Sequence, residues 1–236
     1  MRIRSGPTIG AFLLAAIALA CDGRGLVTGL LQTPSTGAVQ VRLLNALTAS
    51  QSLSFVVDAQ VASSGVSFGG ASPYVPMAIG THRLQAEGTT TGTTLVDFTR
   101  ELAAAGSYSM IPATGLSQFG ALFVLDDPVP LAGQVKLRLI HLAAAPGAVS
   151  VYLTAPNGDT ISPTPTITLA FAAASPYATV APGTYRIRVT PVGAPSTVLV
   201  DSGAFTVGGG SVRTLLLTDA PGGGLPSSLS IIADAN

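Results

Sequence analysis

The chain states much of itself twice. Ser72-Pro73-Tyr74 recurs as Ser175-Pro176-Tyr177, 103 residues later, and Gly80-Thr81-His82-Arg83 recurs as Gly183-Thr184-Tyr185-Arg186 at the same offset. Leu95-Val96-Asp97 matches Leu199-Val200-Asp201 at 104, and Val41-Arg42-Leu43-Leu44 matches Leu137-Arg138-Leu139-Ile140 at 96. The last matching runs, Ala121-Leu122-Phe123-Val124 and Ser228-Leu229-Ser230-Ile231, lie 107 apart. Small ordered drifts of offset are loop insertions. The largest adds 7 residues to the second copy, around Thr154 to Thr168.

Within each copy the residues alternate with period 2, the mark of half-buried strands. Tyr185, Ile187 and Val189 share one face, and Arg186, Arg188 and Thr190 the other. His82, Leu84 and Ala86 stand against Arg83, Gln85 and Glu87 in the same way. Val39, Val41 and Leu43 repeat the inward pattern of Val135, Leu137 and Leu139. Asn157-Gly158 is a hairpin signal, because a type I′ turn needs positive φ at both central residues. The Ala-rich runs Leu102–Ala105 and Ala143–Ala145 are too short for independent helices. About seven short strands per copy predict an all-β chain of two tandem immunoglobulin-like antiparallel β-sandwich domains. Such domains would lack the Cys and Trp signature of antibodies. The expected boundaries are 38–127 and 134–236, each folding alone, with a Pro-rich linker over 128–133.

The N-terminus reads as a leader over residues 1–20. Met1-Arg2-Ile3-Arg4 is basic, and Ile9 to Ala20 is a run of 12 uncharged residues, short for a membrane span. It ends Ala18-Leu19-Ala20-Cys21. Ala18-x-Ala20 suits ordinary secretory cleavage, which would leave an inert terminal thiol. The same residues resemble the bacterial lipobox, whose Cys sulfur takes a diacylglycerol, and Cys21 is the only Cys in the chain. The expected partner of acylated Cys21 is a lipid bilayer, held by two or more chains. Residues 21–37, rich in Gly, Thr, Ser and Pro, read as a flexible lipidated tether of about 20 Å. The expected location is extracytoplasmic, anchored to a bacterial membrane.

The repeated unit resembles a bacterial extracytoplasmic family, domain of unknown function 4397. The residues that carry the resemblance are the strand Val135-Lys136-Leu137-Arg138-Leu139-Ile140-His141, then Val149-Ser150-Val151-Tyr152. Ser175-Pro176-Tyr177 and Ala181-Pro182-Gly183-Thr184-Tyr185-Arg186-Ile187-Arg188-Val189-Thr190 complete it, and Ser72-Pro73-Tyr74 with Gly80-Thr81-His82-Arg83 echo it in the first copy. The resemblance implies a secreted or lipid-anchored β-sandwich and carries no activity with it. The family's opening strand runs into a His-Ala-Ser-Pro-Asp-like turn. Here the turn reads His141-Leu142-Ala143-Ala144-Ala145-Pro146 in one copy and Asn45-Ala46-Leu47-Thr48 in the other, with no Asp in either.

The charge count narrows function. The chain has 11 basic and 11 acidic residues, 9% charged against a usual quarter. Loss of Arg2 and Arg4 with the leader leaves nine basic residues and a net charge of −2. No basic footprint for nucleic acid exists. One Cys excludes a disulfide framework and a Cys-based zinc site. His82 and His141 have no second ligand at metal spacing and read as polar rings satisfied at sheet ends. Ser72 and Ser175 precede Pro and lack a nucleophile elbow, so the dipeptides read as extended turns or edges. Tyr74 and Tyr177 are expected to plug the sandwich ends, each hydroxyl meeting a backbone group. Asp126-Asp127, the only adjacent acidic pair, reads as a solvated turn at the junction. Asn157 and Asp159 supply too few oxygens for calcium. Gly208-Gly209-Gly210 and Gly222-Gly223-Gly224 lack the Lys of a phosphate loop. Five Tyr, eight Phe and no Trp are a thin supply for sugar stacking.

The expectation is therefore a non-enzyme with no cofactor, no metal and no catalytic residue. It is a cell-envelope module with a structural or protein-binding role. Its marked residues are Cys21 for lipidation and Ser72, Pro73, Tyr74, Gly80, Ser175, Pro176, Tyr177 and Gly183 for the repeat. A carbohydrate- or polymer-binding envelope module is the alternative, and an enzyme with an unrecognised site is a third. Scarce charge leaves edge strands open to pairing with a protein partner, unless Pro73, Pro76 and Pro176 block them.

Overall fold

A computed structural model describes residues 38–48, 51–116, 120–157 and 164–235. Cys21, the leader, the tether, Gly158 and Asp159 lie outside the described residues. No helix occurs among the described residues, and none is long and apolar enough to cross a membrane.

The first half holds β1 (Val39–Leu43), β2 (Leu53–Val57), β3 (Gln60–Val66), β4 (Val75–Met77), β5 (Gly80–Gly88), β6 (Thr94–Leu102), β7 (Gly106–Pro112) and β8 (Ala121–Asp126). The second holds β9 (Val135–Leu142), β10 (Val149–Thr154), β11 (Ile167–Leu169), β12 (Ala173–Ala174), β13 (Ala178–Val180), β14 (Gly183–Pro191), β15 (Val200–Val207), β16 (Val212–Thr218) and β17 (Ser228–Ala235). The counts exceed seven because the edge strand beside β1 or β9 is short and, in the second half, broken in two.

Each half is a sandwich of two sheets with one strand order. The first half pairs β4-β1-β7-β8 in one sheet and β3-β2-β5-β6 in the other. The second repeats this as β12-β9-β16-β17, with β13 also on β9, and β11-β10-β14-β15. Pairing is antiparallel except where β1 meets β7 and β9 meets β16, which run parallel. The expected inward residues form the cores. Val39, Val41 and Leu43 meet Leu53, Phe55, Leu84 and Ala86. Leu139 meets Val149, Val151, Ile187 and Val189, while Val135 and Leu137 pack with Val207.

The expected solvent face of β1 and β9 is buried too. Leu44, Ala46, Ile111 and Ala113 of the first half form one apolar cluster with Ile140, Leu142, Leu216 and Ile232 of the second. The sheets containing β1 and β9 thus lie back to back, and the four sheets stack as layers. Every residue of β9 is buried as a result.

Register refines the repeat. Ser109 pairs with Val124 across β7 and β8, and Thr214 pairs with Ile232 across β16 and β17. Arg42 and Arg138 sit opposite Ser109 and Thr214 in turn. The last strands therefore correspond at an offset of 108, not 107. A slip of one exchanges the two faces of a strand, so the smaller offset set Asp126 against Ala233 when its counterpart is Asp234.

The Ser-Pro-Tyr repeats have a clear mechanical use. Proline brings no N–H to a ladder. Ser72 Oγ accepts from Leu43 N at 2.9 Å and donates to Pro73 O at 2.8 Å. Ser175 Oγ does the same with Leu139 N and Pro176 O, at 2.9 and 2.8 Å. The hydroxyl bridges the break in the edge strand. Gly80 opens β5 at φ +146, a conformation that excludes most side chains. Gly183 opens β14 without a positive φ.

Candidate functional site

The back-to-back sheets enclose a polar site at the centre of an apolar interface. Arg42 is 2% exposed and Arg138 3%, yet both are charged. Each projects from the central strand of its sheet toward the other half. Arg42 Nη2 donates to Asp234 Oδ1 at 2.6 Å, and Arg138 Nη2 donates to Asp126 Oδ1 at 2.5 Å. Each arginine thus pairs with the carboxylate of the opposite half. Both carboxylates have no exposed side-chain surface.

The surroundings repeat on both sides. Arg42 Nε donates to Ser109 Oγ, and Arg138 Nε to Thr214 Oγ1, each at 2.9 Å. Ser109 Oγ donates to Asp126 Oδ2 at 2.6 Å, and Thr214 Oγ1 to Asp234 Oδ2 at 2.7 Å. Tyr74 OH donates to Asp126 Oδ2 at 2.6 Å, and Tyr177 OH to Asp234 Oδ2 at 2.8 Å. The guanidinium carbon of Arg42 lies 4.7 Å from the Tyr74 ring centroid, and that of Arg138 lies 4.8 Å from Tyr177. The tyrosines expected to seek backbone partners therefore serve buried carboxylates. Tyr108 and Tyr185 take the backbone role, donating to Ala104 O at 3.3 Å and Ala181 O at 2.6 Å. Asp126 is no solvated turn. It ends β8 inside the interface, while the Asp127 carboxylate reaches Lys136 at the surface.

The electrostatics follow from burial. Burial raises the Tyr74 phenol well above its ordinary value, and Asp126 and Asp234 add to the rise against the opposing pull of Arg42. Tyr177 is raised in the same way, with Arg138 opposing. Burial alone would lower the Arg42 guanidinium. The negative field of Asp234 and Asp126, with the hydrogen bond to Asp234, outweighs it and holds Arg42 above its ordinary value. Both phenols stay protonated as donors and Arg42 stays charged, so the site is a closed donor–acceptor network. A buried ion pair of this kind is retained when its remaining valences are filled.

Both ends of the interface cross over as well. Gly222 N, after β16, donates to Thr48 O of the first half at 2.7 Å. A Cβ placed on Gly115, after β7, would lie 3.4 Å from the Ala144 Cβ of the second half. The turn after β9, which has no acid of its own, borrows one. Asp219 accepts from Ala144 N and Ala145 N at 3.2 and 3.1 Å.

The histidines lie elsewhere and differ from each other. His82 faces Asp58 Oδ2 with Nδ1 at 2.7 Å and Ala78 O with Nε2 at 2.9 Å. Two acceptors call for two N–H groups, so the hydrogen bond to Asp58 and that to Ala78 raise its pKa. His141 donates from Nε2 to Gly147 O at 2.6 Å, and burial lowers its pKa. Among the described residues, no group of three His, Cys, Asp or Glu could hold a metal ion. On the outer sheets Arg83 grips Asp97 through Nε at 2.9 Å, and Arg186 grips Asp201 at 2.8 Å. These exposed pairs are the physical content of the matched Gly-Thr-x-Arg and Leu-Val-Asp runs.

The sequence reading missed Arg42, Ser109, Asp126, Arg138, Thr214 and Asp234 as one site. A signal was present. In a chain so poor in charge, arginine recurs at 42 and 138 within matched runs. The one-residue slip hid the matching aspartates.

These features define a class: an all-β protein whose two sandwiches join face to face through a reciprocal ionic lock. Residues 39–152 match the model of a family described as domain of unknown function (DUF4397), so the chain carries a DUF4397-like region. The match begins at β1 and ends within β10, crossing from the first half into the second. No curated protein matches the chain. Among solved structures, a leucine-rich repeat protein from Bacteroides thetaiotaomicron is similar at 14% identity and a TM-score of 0.23. The similarity covers 78% of this chain and 26% of that one, so the chain spans about a quarter of that protein's length. A family-26 carbohydrate-binding module from Eubacterium rectale, crystallised with maltoheptaose, is similar at 9% identity and a TM-score of 0.26. That similarity covers 81% of this chain and 95% of the module.

Proposed function

We propose that this chain is a lipid-anchored module of the bacterial cell envelope with a non-catalytic, structural or protein-binding role, and that both halves are copies of the DUF4397-like unit. The observation that supports a scaffold role is the lock itself. Its two arginines pair with two aspartates across the halves, and each aspartate also accepts from a tyrosine of its own half. A catalytic site needs a titratable group facing a space where a substrate can sit. These groups face each other instead. The anchor rests on Cys21, the single thiol, at the end of a leader-like apolar run. The protein-binding role finds support in β3. Gln60–Val66 is an edge strand with no charge and no proline, its residues mostly exposed. Such an edge offers ladder groups for strand addition.

The test is Cys21→Ser in cells fed a labelled fatty acid. The label disappears and the protein leaves the membrane fraction. Unchanged membrane retention refutes the anchor. Crosslinking in intact cells, repeated with Val61→Lys on β3, tests the partner. Capture of one envelope protein that the substitution abolishes supports strand addition. Capture indifferent to the substitution refutes it.

A further inference from the structure

We propose that the face joining the two halves also fits a second copy of this chain, the first half of one molecule closing on the second half of the other. The face is self-complementary in the sense of an isologous interface. Each half brings one arginine, one aspartate, one tyrosine and one hydroxyl, at matched positions. Each arginine makes its short Nη2 ion pair with the carboxylate of the opposite half, and Arg42 adds a longer one, at 3.4 Å, to Asp126 of its own. The apolar frame matches as well, with Leu44 and Ile111 on one side answered by Ile140 and Leu216 on the other. The end contacts are reciprocal, through Gly222 to Thr48 and through the close approach of Gly115 to Ala144. Nothing in this surface distinguishes a half of the same chain from a half of another.

What distinguishes them is the connector. Residues 127–134 run between β8 and β9 and hold Pro128 and Pro130. Lys136 Nζ donates to Asp127 O at 2.8 Å and to Val129 O at 3.1 Å. Its counterpart in the first half is Gln40, which instead donates within its own sheet to Ser107 Oγ at 2.7 Å. At this position the repeat departs from itself, and the lysine clamps the connector against β9. A short connector supplies an effective concentration on the order of 1 mM. The closed single chain therefore prevails in dilute solution, and exchange requires opening at a protein concentration near that value.

The experiment uses two full chains, both carrying Cys21→Ser, one with Gly115→Cys and one with Ala144→Cys. They are unfolded, mixed at about 1 mM, refolded together and oxidised. The two positions meet only across the interface, and a Cβ separation near 3.4 Å is close enough for a disulfide after a shift of a few tenths of an ångström, which also relieves the contact with the Phe171 ring. A dimer-sized band on a non-reducing gel, present in the mixture and absent from either chain alone, is the expected result. Lys136→Gln in both chains increases that band several-fold. Free thiols in the refolded mixture, or an equal band in each chain alone, overturns the proposal. Gly115 sits at φ +86, where a cysteine is strained. Light scattering of the Cys21→Ser chain refolded at the same concentration therefore gives an independent reading. A doubled mass fraction supports the exchange, and a purely monomeric sample refutes it.

Discussion

At the scale of single residues, the lock makes an asymmetric demand. Removing one partner of a buried ion pair leaves the other charged and unpaired, which typically destabilises by about 3–5 kcal/mol. Asp234→Ala removes the acceptor of Arg42 Nη2, Tyr177 and Thr214 together, and leaves Arg42 only the longer 3.4 Å ion pair with Asp126. We expect it to lower unfolding free energy by about 3–5 kcal/mol in denaturant titration. Asp97→Ala on the exposed face, where its pair with Arg83 is solvated, should change stability by less than about 1 kcal/mol. Equal losses in the two variants would remove the special status of the lock.

The histidines predict opposite pH slopes. The folded pKa of His82 is raised by Asp58 and Ala78. Its stabilisation is complete below the unfolded value of about 6.5 and is lost as pH rises through the folded value. The folded pKa of His141 is lowered by burial. Its neutral ring is native-compatible above about 6.5, and stability drains as pH falls toward the folded value. Denaturant unfolding at about pH 5 and pH 8.5 separates them. His82→Gln loses more stability at the lower pH. His141→Asn, which installs the residue of its counterpart Asn45, loses more at the higher. The same sign for both variants would contradict the geometry.

At the scale of elements, the edge strands show how a proline is accommodated in a ladder. Ser175 lends its hydroxyl to Leu139 N, which otherwise has no acceptor at the break. Ser175→Ala leaves that amide unpaired, at about 1–3 kcal/mol. Ser175→Thr keeps the hydroxyl and should recover most of the loss in thermal unfolding. The strands were legible because Val, Leu and Ile alternate with polar residues along them. The last strands were the hardest to align. Ala121–Asp126 and Ser228–Ala235 share few residue types, so one slip went unmarked, and it turned Asp126 and Asp234 to opposite faces. Only pairing with β7 and β16 settles their register.

At the scale of the whole molecule, four layers share three apolar seams, and the middle seam ties the halves together. The expectation of two independently folding domains takes no account of that seam. A half on its own would turn Leu44, Ile111 and a charged pair outward. We expect the intact chain to unfold in one calorimetric transition, with Asp234→Ala lowering the midpoint of the whole transition. Two resolved transitions, only one of them moved by the substitution, would mean the halves are independent.

Alternation, turn residues and the repeat determine from sequence alone that the chain is all-β, that it holds two like sandwiches, and which residues line each core. These are local facts, since a strand's inward face is written every second residue. The pairing of Arg42 with Asp234 and of Arg138 with Asp126 is not local, since each joins residues of different halves. Tertiary structure alone decides that the second face of β1 and β9 meets another sheet. That meeting excludes water and turns a few scattered charges into the lock that holds the molecule together.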